Sequence, residues 1–596
     1  MTGSASSGCG ADRRFRTAVL GLAALLVLLL GDVVAAQTLV GEGDPINLLP
    51  QPQPDPNTSP GTGTDSNTGA MAPEGFQVET LEEVSGEFSG PLTPQNGGLQ
   101  PTLWRGSSRG KIERLFARLP LPHSPGVASL TRILLLTNGN APPGQGTGVN
   151  MLALRARILS EMGNLGEALE LLRNAPAKAL DPTASRMLVD LAWQNQDIEG
   201  ACAKLLEPAA PFEFTTELQK ERIFCQWRAG QKADAQFGRD LLRDQGVDDP
   251  AFNAIMDRLA GDSGVEIPAP HALTPALIAM LREAQAPLPP NAFDLASTDA
   301  VAVLARDSRI DPALRLSAAE AAASQGALSA DVVREVYAAQ KIAPQDLATA
   351  ADLPDTGASA KDRAVLYQAV AAAPPEARAS ILQVALGPTG WADNDTWRLE
   401  VFGPFLMELQ PSPQLSWYAP EAAHYLFALG EFDRARAWIE VTQGDQSYGE
   451  GSVDTNSAIM LPSLLALDYL AGGYQSVPVM GSFLAQGQVN ASPDSVERLQ
   501  AIFAVFDESA AVGNSQVAGI DASALPGQNR NLWLDLGNAA EKNMQGEAAL
   551  LALIGLSDLA TVEPLWLQRA LSSLRIVGLE TQARHIAVEA AIANGL

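Results

Sequence analysis

Residues that could carry acid–base or nucleophilic chemistry are few in this chain and lie far apart in the sequence. The four histidines, at positions 123, 271, 424 and 585, have no Cys or His partners at the spacing of a zinc site. The H-E-x-x-H pair of a metalloprotease is also missing from the sequence. We therefore expect a protein that is not an enzyme, with no catalytic, cofactor-binding or metal-binding residues.

Three loops have compositions that could bind ions, but their spacings do not fit. The glycine-rich stretch NGNAPPGQGTG at 138–148 lacks the Gly-Lys-Ser/Thr end that holds phosphate and magnesium. The acidic loops WADNDTW at 391–397 and QGDQSYGEGSVDTNS at 443–457 do not follow the ligand order of a calcium loop. Turns are the expected structure of all three.

The first residues of the chain read as an export signal. Arginines at 13, 14 and 16 precede a short apolar run at 18–30, and small residues at 34–36 match the pattern that a signal peptidase cleaves. We expect cleavage after Ala36 and a periplasmic protein in a Gram-negative type of envelope. The alternative is an uncleaved segment that anchors the chain to the inner membrane.

Two cysteines remain if this segment is removed, because Cys9 lies within it. Cys202 and Cys225 are an even pair in an exported chain, which makes them candidates for one disulfide. The alternative is two buried thiols on neighbouring helices. Since there are only two, the connectivity of such a bridge is unambiguous.

Composition excludes one class of partner and favours one fold class. The chain has 596 residues, with 40 basic and 68 acidic side chains and a formal net charge of −28. A nucleic-acid backbone would be repelled by this charge. The acidic residues are scattered, which indicates a solvated, aggregation-resistant surface, and the alternative is a surface that attracts a basic partner. The Ala- and Leu-rich, aromatic-poor composition and the scarcity of strand patterns predict an all-α fold.

The chain divides by composition into a linker and three helical regions. Residues 37–102 are rich in Pro, Gly, Thr, Asn and Ser and cannot bury enough apolar area to order, so we expect a disordered linker. Helical patterns then continue to the end. We place a first array of helical repeats at 103–262, irregular Ala-rich hairpins at 263–410, and further repeats at 411–596.

One local pattern recurs along the helical regions. In SEMGNLGEALELL, at 160–172, a helix stops at Gly163 and a second begins with Leu165, with Ala168 as the close-contact position. The same pattern recurs with Gln196 and Gly230 in the glycine position, spaced by 33 and 34 residues. Helix, turn and helix with this period predict a repeat array.

These units resemble the tetratricopeptide family in their Gly, Ala and closing Pro positions. The resemblance covers about residues 150–245, and it departs from the family pattern at Leu152, where an aromatic is usual, and at Gln196. The pattern repeats at Gly430 and Gly578, with looser copies between them in DYLAGGYQSV and NMQGEAALLALIG. The resemblance implies a right-handed α-solenoid after the disordered segment, with a groove that binds a protein or peptide.

The expected function is that of a non-enzymatic scaffold in the cell envelope. The loop at 443–457 interrupts the array, and Trp438 beside it and Tyr448 within it are candidate aromatic anchors for a partner. The alternative is that Trp438 belongs to the core and Tyr448 to a mobile loop tip. The alternative is a peptidoglycan-associated enzyme or accessory factor. Exported lytic transglycosylases contain helical superhelices and a catalytic Glu followed by Ser, which Glu508-Ser509 resembles, although the Gly-rich segment that follows in that family is not matched.

Overall fold

Helices account for the regular structure throughout the part of the chain that the structure describes. This computed structural model describes residues 86–208, 213–387, 396–445, 455–473, 492–506 and 527–596. Within these ranges the only β contacts are two isolated bridges, Leu92 with Thr137 and Leu273 with Ala296. The all-α prediction is confirmed. The export signal and most of the expected linker lie outside the described residues.

The helices are short and follow one another closely. In the first predicted repeat region they are α1 (Arg109–Phe116), α2 (Pro125–Leu136), α3 (Met151–Glu161), α4 (Leu165–Arg173), α5 (Pro182–Gln194), α6 (Ile198–Leu205), α7 (Thr216–Arg228), α8 (Lys232–Asp244) and α9 (Pro250–Leu259). In the Ala-rich region they are α10 (Pro275–Glu283), α11 (Ala292–Leu295), α12 (Thr298–Arg306), α13 (Pro312–Ser324), α14 (Ala330–Ala338), α15 (Pro344–Ala348), α16 (Ala360–Ala372), α17 (Pro375–Leu386) and α18 (Thr396–Glu408).

The C-terminal region continues in the same way. Its described helices are α19 (Ala419–Ala428), α20 (Phe432–Asp445), α21 (Thr455–Leu470), α22 (Pro493–Phe506), α23 (Gly527–Glu541), α24 (Gln545–Gly555), α25 (Pro564–Ile576) and α26 (Glu580–Ala593). None of the described helices is long and apolar enough to cross a membrane.

Many helix starts follow from local sequence. Proline occupies the first helical position where its missing N–H is not needed, and a capping side chain precedes it. The Asp181 carboxylate thus accepts a hydrogen bond from the Ala184 amide at the start of α5, and Thr274 accepts one from Leu277 at the start of α10. Such paired signals divide the sequence into separate short helices.

The expected elbows are present between paired helices. Gly163 joins α3 to α4 with φ +78°, and Gly230 joins α7 to α8 with φ +79°. Gln196, which stands where the family pattern has glycine, also adopts a left-handed conformation, with φ +59°. Gly430 and Gly578 repeat the geometry in the α19–α20 and α25–α26 hairpins. The turn is therefore fixed by position in the repeat, even where its residue is not glycine.

The close-contact alanines lie where the paired helices meet. Ala168, Ala201, Ala235, Ala435 and Ala583 are all buried, each on the second helix of its hairpin. A larger side chain at such a position would push the two helices apart, because protein interiors are packed to crystal-like density. The sequence pattern therefore gives both the turn and the packing surface of each hairpin.

The ordered fold begins before the boundary that composition suggested. Residues 86–102, which we assigned to the linker, pack onto α2 and α3: Phe88 is buried, and the Leu92 amide donates to the Leu136 carbonyl at 3.0 Å. The Arg155 guanidinium, buried in α3, donates to the carbonyls of Glu87 and Ser89 at 2.8 Å each. These contacts order a segment that has little helical or apolar pattern of its own.

Hairpins distant in sequence also contact one another. Helices α1 and α2 pack against α24 and α26, and the Gly126 amide donates to the Glu589 carboxylate at 2.7 Å. The elbow at Gly163 lies against the α13–α14 elbow at Gly326, and α5 packs against α10 and α12. In a simple solenoid each repeat contacts only its neighbours. The right-handed solenoid therefore stays a prediction, and the structure establishes the all-helical hairpins. All these contacts lie within one compact unit, Glu79–Leu596.

Candidate partner-binding groove

The first helices of three successive hairpins line one open cavity. Helices α3, α5 and α7 form one side, and the N-terminal ends of α10 and α12 form the other, around a volume of about 420 Å³. A second cavity of about 480 Å³ adjoins it and shares Glu217, Glu221, Thr274 and Ala276 as lining residues. We call the two cavities together the groove.

Helical spacing brings charged side chains onto the groove side of each helix. On α3, Arg157 and Glu161 are four residues apart, and their side chains pair at 3.0 Å. On α5, Arg186 and Asp190 have the same spacing and pair at 2.9 Å. Residues four apart on a helix share a face, so one surface of each first helix faces the cavity.

A buried carboxylate lies at the floor of the groove. Glu221, on α7, is 8% exposed, and it accepts a hydrogen bond from Trp193 Nε1 on α5 at 2.9 Å. Burial raises the pKa of Glu221 to about 7, although the Trp193 hydrogen bond and the positive charge of Arg186 oppose the shift. The negative charges of Asp190 and Glu217 add to it. Glu221 is therefore poised to change its protonation near neutral pH.

The ionised forms of two further carboxylates in the groove are also destabilised. Burial raises the pKa of Asp190, with the hydrogen bond from Arg186 acting in the opposite direction. The pKa of Asp299, at the start of α12, is also raised, first by its desolvation and then by the negative charges of Asp190 and Glu161. The groove thus concentrates like charges that repel one another.

The adjoining cavity is more apolar. Its lining includes Phe252, Leu277 and Met280, together with the chain segment 268–272 that leads into α10. At its edge the Lys220 ammonium pairs with Asp249 at 2.7 Å. The groove therefore offers an acidic end and an apolar end side by side.

The anchors expected from the sequence do not form this groove. Trp438 is 1% exposed and packs edge-to-face against Tyr418, with ring centroids 6.4 Å apart. It belongs to the core between α19 and α20 and is not available as a surface anchor, which corrects the prediction for this residue. Tyr448 and most of the 443–457 loop lie outside the described residues.

Cys202 and Cys225 are joined in the structure. Their sulfurs are 2.01 Å apart and their Cα atoms 5.1 Å apart, which is disulfide geometry. The bridge links α6 to α7, and both cysteines are buried. It therefore holds the second hairpin against the helix that carries Glu221.

The four histidines differ in their burial and in their partners. His424 is buried, its Nε2 lies 3.0 Å from the Leu596 carbonyl oxygen, and burial lowers its pKa to about 4. Burial also lowers the pKa of His585, on α26. His123 and His271 are exposed. Glu508, the residue of the alternative hypothesis, lies outside the described residues, so that hypothesis stays a prediction.

One serine lies in a short sequence that matches the nucleophile pattern of hydrolases. Residues 106–110 read GSSRG, a G-x-S-x-G match, and Ser108 is the N-cap of α1. A turn precedes it, whereas the nucleophile turn of hydrolases follows a β-strand. The match therefore lacks the strand–turn–helix context that exposes a hydrolase nucleophile.

The acidic floor of the groove was not found from the sequence. The signal was available within each helix, as charged residues at four-residue spacing, Arg186 and Asp190 in α5 and Glu217 and Glu221 in α7, but their convergence depends on how the helices pack. Comparison of the chain with protein-family models, with curated proteins and with solved structures finds no match.

Proposed function

We propose that this chain is an exported, non-enzymatic scaffold that binds a segment of a protein partner in the groove between α3, α5, α7, α10 and α12. The observation that carries the proposal is the groove itself, which is lined by the first helix of three successive hairpins. Stacked hairpins present their first helices side by side, and repeat proteins bind polypeptides on surfaces of this kind.

The dimensions and chemistry of the groove support this role. Volumes of about 420 and 480 Å³ are in the range of ligand sites, and polar groups stand beside an apolar lining. A right-handed tetratricopeptide-like array, export by cleavage after Ala36 and a periplasmic location complete the proposal. They rest on the repeat pattern and on the leader-like N-terminal sequence.

Site-specific photo-crosslinking in the envelope tests the proposal. The half-buried Met187 lines the groove, whereas Phe237 is exposed on α8 and lines neither cavity. We expect Met187→p-benzoylphenylalanine to give a discrete protein adduct after irradiation. The matched control, Phe237→p-benzoylphenylalanine, should not give that adduct. No adduct from Met187, or the same adducts from both positions, would overturn the proposal.

A further inference from the structure

The carboxylates of the groove outnumber its cations. Around the acidic cavity stand five carboxylates, on Glu161, Asp190, Glu217, Glu221 and Asp299, and two guanidinium groups, on Arg157 and Arg186. These groups come from α3, α5, α7 and α12, so four separate elements contribute charge to one cavity. An occupant that carries positive charge would relieve their mutual repulsion.

The internal pairs leave part of this negative charge uncompensated. Arg157 pairs with Glu161 and Arg186 pairs with Asp190, each within its own helix. Lys220, at the edge of the adjoining cavity, pairs with Glu217 at 2.9 Å. Among the described residues, neither Glu221 nor Asp299 forms an ion pair. Glu221 receives only the neutral indole N–H of Trp193, although it is the most buried carboxylate of the groove. An unneutralised carboxylate held in this way favours a cation that can also donate hydrogen bonds.

An organic cation fits better than a metal ion. In the part of the chain that the structure describes, no three His, Cys, Asp or Glu side chains are grouped as metal ligands. The groove also continues into the apolar cavity beside Phe252, Leu277 and Met280, which offers nothing to a metal. A polypeptide with basic and apolar side chains in alternation would fill both ends.

We infer that the occupant of the groove is a basic segment of a protein partner, whose lysine or arginine side chain lies against Asp190 and Glu221 while an adjacent apolar side chain enters the neighbouring cavity. This inference rests on the proposed function and names the chemistry of the partner. It assigns specificity to Asp190, Glu221 and Asp299, and apolar contact to Leu277 and Met280.

Peptide binding to the purified full chain tests the inference. The probes are fluorescein-labelled KLKLKL and its uncharged counterpart QLQLQL, measured by fluorescence anisotropy at physiological ionic strength. We expect KLKLKL to bind at least about tenfold more tightly than QLQLQL, since charge-assisted hydrogen bonds are about twice as strong as neutral ones. Equal affinity for the two peptides would overturn the inference.

Two triple variants distinguish binding in the groove from nonspecific attraction to the acidic chain. The groove variant is Asp190→Asn/Glu221→Gln/Asp299→Asn. The control is Asp234→Asn/Asp244→Asn/Asp248→Asn, three exposed carboxylates on or after α8. Both variants replace three carboxylates with amides. We expect the groove variant to lose about tenfold in affinity for KLKLKL and the control less than about twofold. Equal losses would show that binding is nonspecific and overturn the inference.

The pH dependence adds a readout specific to the buried carboxylate. Because a bound cation favours ionised Glu221, KLKLKL should bind more tightly as the pH rises through about 7. The groups that face Glu221 are Trp193, Arg186, Asp190 and Glu217. Glu221→Gln should remove this dependence. If the dependence persists in Glu221→Gln, another group causes it and the role of Glu221 is contradicted.

Protein binding in the groove and its preference for a basic partner are tested by separate results. If Met187 crosslinks a partner but the groove variant binds KLKLKL as tightly as the wild type, the groove binds a protein and its basic specificity is refuted. If Met187 gives no adduct in the envelope, the proposed function itself fails, whatever the peptide affinities.

Discussion

Replacing Gly163 with alanine tests whether the α3–α4 elbow is packed against the distant α13–α14 elbow. Gly163 has φ +78°, and a Cβ added there would lie 2.2 Å from the Gly326 carbonyl oxygen. Gly230 is a matched control, with φ +79° and no atom within 4 Å of its Cβ position. Both substitutions place alanine in the left-handed region at a cost of about 1–2 kcal/mol. That cost cancels in the comparison.

Only Gly163→Ala adds a steric clash. The contact is made with a backbone atom, which cannot rotate away as a flexible side chain can, so one elbow must shift. Overpacking of this kind costs about 1–3 kcal/mol. We therefore expect Gly163→Ala to lower the free energy of unfolding by about 1–3 kcal/mol more than Gly230→Ala does.

Urea unfolding followed by circular dichroism measures the difference, and hydrogen exchange locates it. In Gly163→Ala the amides of α13 and α14 should exchange faster, although they lie far away in sequence, whereas Gly230→Ala should leave them unchanged. Equal unfolding midpoints for the two variants, with unchanged exchange in α13 and α14, would refute the elbow contact. That result would favour a solenoid in which the elbows are free.

Two further predictions concern the disulfide and a buried carboxylate. The Cys202–Cys225 bridge closes a loop across 23 residues, so its reduction should lower the free energy of unfolding by about 3 kcal/mol. Urea titrations with and without reductant measure this loss, and an unchanged unfolding midpoint would contradict it. Burial raises the pKa of Glu589 from 4.5 to about 8, so the folded state retains a proton that the unfolded state releases, and the contribution of Glu589 to stability should fall as the pH rises from about 4.5 to 8. Buried His424, whose pKa is lowered to about 4, acts in the opposite direction below about 6.5. From pH 4.5 to 8 the melting temperature of Glu589→Gln should fall less, or rise more, than that of the wild type; the same pH dependence in both proteins would contradict the assignment.

Local structure could be predicted where each signal and its consequence lie within one hairpin. The left-handed turns at Gly163, Gln196 and Gly230 and the buried alanines that follow them were all expected from spacing. Even Gln196, a residue for which a positive φ is costly, was placed correctly because its neighbours in the repeat fix the turn. The boundary at residue 103 failed for the opposite reason, since residues 86–102 are ordered by contacts with α2 and α3.

The candidate site could not be predicted, because no single segment contains it. Glu221 and Trp193 are 28 residues apart, and Asp299 is farther still, so only the packing of α5 against its neighbours brings their charges together. Trp438 was expected to be a surface anchor and is buried. The sequence could not distinguish the two, because an aromatic residue beside a loop has the same sequence pattern whether it packs inward or outward.

The sequence by itself determined the helices, the elbows and the close-contact alanines, because hydrogen bonding and steric limits act over a few residues. The tertiary structure alone decided which hairpins meet. The contact of α2 with α26, the elbow contact at Gly326 and the acidic groove all join hairpins that are far apart in sequence. A pattern that describes each hairpin separately does not specify which other hairpins it will pack against.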